Sequence, residues 1–152
     1  MKTYDINSVE EQLKTNESVA ALTSGASMYP LLRTHKDIVV ISKPTHPLNI
    51  GDVTLYKKQG VKKLILHRII GKMPDGTYII RGDNTYSKEY IPQCDVVGVM
   101  TAIYRGGKYI DCKNSKTYKI YVAINRLFYP VRYVWKTKVR VFLSKIKRKI
   151  CS

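Results

Sequence analysis

The spacing of apolar residues changes twice along the chain. Between residues 8 and 22, Val9, Leu13, Val19, Ala20 and Leu22 form a weak apolar stripe. Ser8 stands where a cap is wanted, and Glu10 and Glu11 fall in the first turn, where the helix dipole favours acids. The pattern predicts a short helix over 8–22. Further on, β-branched runs are broken by Pro, Gly and Asp. Strands are expected at 37–41, 51–56, 62–70, 77–81, 95–104 and 108–111, with Pro74-Asp75-Gly76 and Gly106-Gly107 as turns. Short strands joined by tight turns predict an antiparallel, mainly β domain rather than βαβ units. After Ser115, Ile120, Ile124, Leu127, Phe128, Val131, Val134, Trp135, Phe142 and Ile146 recur at helical steps. Arg126, Arg132, Lys136, Arg140, Lys147 and Lys149 fall mostly between them. This is a basic amphipathic helix, expected to bend or divide at Pro130. The organisation read from the pattern is a helical segment over 1–22, a β-rich domain over 23–112 and a basic amphipathic tail over 113–152.

Composition narrows the picture. The 152 residues suit one domain with a real core, and 44% hydrophobic content argues against disorder. Cys94, Cys112 and Cys151 are widely spaced and odd in number, which suits neither a disulfide framework nor a zinc site and fits a reducing compartment. The opening residues are polar, so no secretory signal peptide is expected, and no apolar run approaches the roughly 20 residues that cross a bilayer. A cytoplasmic protein is expected, with contact at the inner face of the membrane. The net charge of +16 is concentrated late, because Asp111 is the last acidic residue. Such a tail suits a polyanion: an anionic lipid surface, nucleic acid or an acidic partner. Trp135, Phe128 and the tyrosines favour lipid over nucleic acid. The alternative is that the apolar stripe packs on the β domain and leaves an ordinary solvated basic face.

Three fragments carry candidate chemistry. Ser27 lies in Ser24-Gly25-Ala26-Ser27-Met28-Tyr29-Pro30, a turn whose small residues permit close backbone approach. His67 comes forty residues later, on the strand face shared by Ile65 and Ile69, where burial would keep the imidazole neutral as a general base requires. Asp83, in Arg81-Gly82-Asp83-Asn84, and Glu89 are two carboxylates able to orient that ring. A serine hydroxyl attacks poorly unless a base takes its proton and a third group sets the base's tautomer. Taken singly, each fragment is also an ordinary turn or core residue.

Together, Ser27-Met28-x-Pro30, Asp37 before a Val/Ile strand, Gly51-Asp52-Val53, His67-Arg68-Ile69, Arg81-Gly82-Asp83-Asn84 and Val97-Gly98 resemble the signal-peptidase-like serine proteases, which include self-cleaving repressors. The similarity runs from about Thr23 to Tyr104. Histidine at position 67, where many members have lysine, resembles the serine–histidine branch. The resemblance implies a β-rich protease fold, Ser27 as nucleophile and His67 as base. Asp83 then matches the motif aspartate, and Glu89 stands where that branch carries a catalytic aspartate. It implies a peptide or precursor-protein substrate, bound extended along a strand edge and cut through an acyl-enzyme, with no metal or organic cofactor. Three features differ from the family: no amino-terminal anchor is seen, Gly25 replaces a frequent serine, and Glu89 replaces aspartate. A non-catalytic or self-cleaving binding module, using its basic tail for nucleic acid or membrane, is the competing expectation.

Overall fold

The computed structural model describes residues 3–150, with side chains as far as residue 135 and at Lys138. Stripe positions Phe142 and Ile146, and basic positions Lys136, Arg140, Lys147 and Lys149, lie outside the described side chains, and Cys151 lies outside the described residues. Nine strands form one sheet: β1 (Tyr4–Asp5), β2 (Ser18–Leu22), β3 (Ile38–Ser42), β4 (Val53–Lys58), β5 (Val61–Lys72), β6 (Tyr78–Arg81), β7 (Glu89–Ile91), β8 (Val96–Arg105) and β9 (Lys108–Asp111). Helix α1 (Val9–Thr15) precedes β2 and helix α2 (Lys116–Ile150) closes the chain. The protein is therefore mainly β with a short helix near its start and a long one at its end, as the pattern predicts. Spatial order is β1-β2-β3-β8-β4-β5-β6-β7, with β9 on β8, and every pairing except β1–β2 is antiparallel.

The first helix is shorter than its stripe predicts. It ends at Thr15, where Asn16 turns extended and donates from its side chain to the Gln12 carbonyl at 2.8 Å. Residues Ser18–Leu22 are strand: Val19 pairs with Ile41 and Ala21 with Val39. A helix over 8–22 would spend those apolar residues on a weak stripe, whereas the ladder buries Val19 and Ala21 against β3. Strand β7 also escaped the pattern, being three residues long. Helix α2 runs through Pro130 and is not divided there.

Alternation along the strands feeds two apolar clusters. Val9, Leu13, Val19, Val39, Ile41, Val53, Leu55 and Met100 form one, with Leu64 and Leu66 of β5 against it. Tyr56, Ile69, Tyr78, Ile80, Ile91 and Val96 form the other, with Ile65 against it. At Gly98, any Cβ would collide with the Ile41 side chain, so glycine lets β8 lie close against β3 where the strands pair.

Asp37, just ahead of β3, is fully buried. Its carboxylate accepts from Arg33 Nη2 at 2.8 Å, the Arg33 backbone N–H at 2.9 Å and Arg105 Nη2 at 2.7 Å. Burial alone would raise its pKa, but the Arg105 and Arg33 hydrogen bonds overrule it and hold the carboxyl well below the usual range. The contribution to stability is then complete above the ordinary value of 3.8 and is lost as pH falls from there toward the depressed folded value. Asp37→Ala is expected to cost about 2–3 kcal/mol in urea unfolding at pH 7, and markedly less near pH 2.

Candidate active site

Ser27 sits in the loop after β2, partly exposed, and is anchored by the residues just after it. Met28, Leu31 and Leu32 are buried in the larger apolar cluster. The loop after β6 is tied to the same place: Asn84 donates its backbone N–H to the Ser27 carbonyl at 2.7 Å and its side-chain amide to the Ala26 carbonyl at 3.1 Å. Gly82, in that second loop, lies between Ser27 and His67. A Cβ on Gly82 would stand 2.7 Å from the Ser27 carbonyl oxygen and 2.9 Å from His67 Nε2. Only glycine lets the three segments meet. The structure thus brings Ser27 and His67 together as neighbours across Gly82, although no hydrogen bond joins the Ser27 hydroxyl to His67 among the described residues.

His67 lies within β5, buried, directly across from Thr54 on β4. Its Nδ1 is 3.0 Å from the Tyr56 hydroxyl and 3.4 Å from Glu89 Oε1. Glu89 also pairs with Lys58 at 2.8 Å. Burial lowers the His67 pKa, the Lys58 charge adds to that, and Glu89 and Asp83 oppose it, with a net shift downward. The ring is therefore neutral at neutral pH. Burial would raise the Glu89 pKa, but the hydrogen bond and charge of Lys58, with His67, bring it down, so Glu89 is ionised. Burial and then the Glu89 charge push the Tyr56 phenol far up, so it keeps its proton. In the tautomer with Nδ1 protonated, the ring would donate to the Tyr56 oxygen, and the Nε2 lone pair would be left toward Gly82. That is the tautomer a general base needs.

Asp83, one of the two carboxylates expected to be able to orient His67, is placed elsewhere. It is buried and held bidentate by Arg68, Nε to Oδ1 at 2.8 Å and Nη2 to Oδ2 at 2.7 Å, with the Tyr121 hydroxyl donating to Oδ2 at 3.1 Å. Adjacent residues on a strand point to opposite sides, so the partner of Arg68 is directed away from His67. Glu89, with Oε1 3.4 Å from Nδ1, is the carboxylate at the ring.

A cavity of about 450 Å³ opens beside Ser27, bounded by Ser24, Gly25 and Met28 on one side and by Leu64 and Leu66 of β5 on the other. Along this wall β5 is paired only with β4; its pairing with β6 begins at Arg68. The Leu64 N–H on that edge is taken by the Asn7 side chain at 3.1 Å. No group of three or more metal-ligating side chains is present among the described residues.

Sequence reasoning missed Tyr56 and Lys58. The only signal was their position on the strand before His67, and a bulge between Tyr56 and Lys58 obscured it. Two substitutions separate the carboxylates. Asp83→Asn should lower stability by about 3–5 kcal/mol, because it leaves Arg68 buried without its counter-charge. Glu89→Gln should change stability by no more than about 1 kcal/mol, since half of its ion pair is exposed lysine. It should also move the His67 imidazole pKa, read by NMR, further down, because a negative charge that raises it is gone. An upward shift would show that Glu89 does not act on the ring.

No family model matches this sequence, and no curated protein matches it.

Proposed function

We propose that the protein is a serine endopeptidase that removes a leader or signal-like segment from a peptide or protein precursor. The observation that supports this most is the convergence of Ser27 and neutral His67 across Gly82, with Ser27 lining a cavity whose other wall is a stretch of β5 paired on one edge alone. An extended peptide adding to that edge would lay its carbonyl carbon near the Ser27 hydroxyl.

The chemistry is set by the proton positions. Proton transfer requires Ser27 Oγ within roughly 2.6–3.2 Å of Nε2, an approach that the bound substrate would complete. His67 takes the hydroxyl proton as Oγ bonds to the carbonyl carbon, and Tyr56 with Glu89 stabilises the imidazolium from the Nδ1 side. The same proton goes to the leaving amine when the C–N bond breaks. Water, deprotonated by His67, then releases the acyl group from Ser27. Backbone N–H groups of the Ser27 loop, and the Ser24 hydroxyl on the cavity wall, are the available donors for the oxyanion. Action on a small precursor in the cytoplasm is part of this proposal, and the free thiols of Cys94 and Cys112 suit a reducing compartment.

A fluorophosphonate probe should label the wild-type chain at Ser27 and leave Ser27→Ala unlabelled, with labelling slowed about a thousandfold or more in His67→Ala. A folded chain that neither reacts with the probe nor cuts any member of a peptide library would be a binding module, and the proposal would fall. For a substrate found in that library, kcat/KM should be maximal where His67 is neutral and should fall on the acid side. Because the folded pKa is lowered, the midpoint should lie below the ordinary 6.5. Lys58→Met removes a charge that lowers it and should move the midpoint up.

A further inference from the structure

The closing helix packs the wrong way round for a helix that only completes a core. Its inner face is made of Tyr118, Tyr121, Val122, Asn125, Tyr129 and Arg132, which dock on β5 and on the loop after β6. Tyr121 and Arg132 donate to Asp83, and Tyr129 donates to the Tyr86 carbonyl. The apolar stripe points the other way. Ile120, Ile124, Leu127, Phe128, Val131 and Trp135 are all exposed, Leu127 at 71% and Trp135 at 69%. An amphipathic helix normally turns such a stripe inward, and a contiguous apolar surface of this kind marks a docking face. Exposed Ile50 extends it off the helix, and Lys119 and Arg126 flank it across the groove they line with Ile50.

We propose that α2 is a peripheral membrane helix. It lies along an anionic bilayer, its stripe in the acyl boundary and its lysines and arginines at the headgroup phosphates. Charge decides the occupant. Every residue from Cys112 onward is neutral or basic, so the face is built for a negatively charged apolar surface. A second copy would bring another +16 against the first. Among the described residues nothing covers the stripe, and the helix runs on to Ile150. Nucleic acid would leave the apolar centre of the face against phosphates. Nor is it a spanning helix: among the described residues, no helix is long and apolar enough to cross a membrane.

Trp135 is the chain's one tryptophan and lies in the stripe, so it reports directly. Full-length protein is mixed at about 0.15 M salt with phosphatidylcholine vesicles, and with vesicles containing phosphatidylglycerol. Expected are a blue shift of Trp135 emission and co-sedimentation with the anionic vesicles, at least about tenfold stronger than with neutral ones and weakening as salt rises. Leu127→Glu combined with Phe128→Glu should reduce binding by about tenfold or more while leaving the melting temperature unchanged, since neither side chain touches the core. Ser27→Ala should bind as wild type, so this result stands apart from the protease reading. Equal binding to both vesicle types would overturn the proposal. So would self-association, abolished by the double substitution, without vesicle binding. Preferential binding to duplex DNA, unaffected by that substitution, would overturn it as well.

Discussion

The buried ion pair between Arg68 and Asp83 is the contact on which the site and the closing helix both depend. Arg68 is next to His67 on β5, and Asp83 is next to Gly82 in the loop after β6. Joining them, with both nitrogens of the guanidinium edge engaged, sets the loop's distance from the strand. Arg68 also donates to the Gly51 carbonyl at 2.6 Å and to the Tyr118 hydroxyl at 3.3 Å. One side chain thereby ties β5, the turn before β4, the Asp83 loop and α2. Two buried charges are costly to desolvate, so the pair adds little net stability over apolar packing, while its two hydrogen bonds fix a geometry. Here that geometry is the meeting of Ser27, Gly82 and His67.

Around His67 the balance is electrostatic. Burial favours the neutral ring, Lys58 reinforces that, and Glu89 supplies a negative charge in reserve for the imidazolium. Tyr56 stands between, able to accept from the ring and donate to the carboxylate because its own proton is held tightly. The cavity beside the open edge of β5 is lined by Ser27, on the other side of Gly82 from the ring.

The closing helix reverses the usual arrangement. Its tyrosines, asparagine and arginine face the protein because the groups they meet there are polar, namely the Asp83 carboxylate and backbone carbonyls of the loop. Arg81 adds a guanidinium stacked 3.0 Å above the Tyr129 ring. With the polar partners inside, the apolar residues are left outside.

Much of the architecture was legible from period and turns: six strands, the antiparallel β class and both helices come from alternation, from glycine and proline, and from helical spacing after Ser115. The boundaries that failed are informative. Residues Ser18–Leu22 satisfy a helical stripe equally well, and only the presence of β3 alongside makes them a strand. Likewise the amphipathic period of α2 defined two faces, but which face meets the protein depended on finding a buried carboxylate opposite. For the candidate site, residue type and order along the chain singled out Ser27, His67 and two carboxylates, of which the structure brings Ser27, His67 and Glu89 close together. Choosing between Asp83 and Glu89, and finding Tyr56, required the register of β4 on β5. Paired outward from Lys58 and Val61 without the bulge, Tyr56 would face Lys63; with it, Tyr56 faces Ile65 and Thr54 faces His67. Local sequence determines periodicity and turns because those are set by near neighbours. The register of distant strands, and the side of a helix that is covered, are set by packing across the whole sheet.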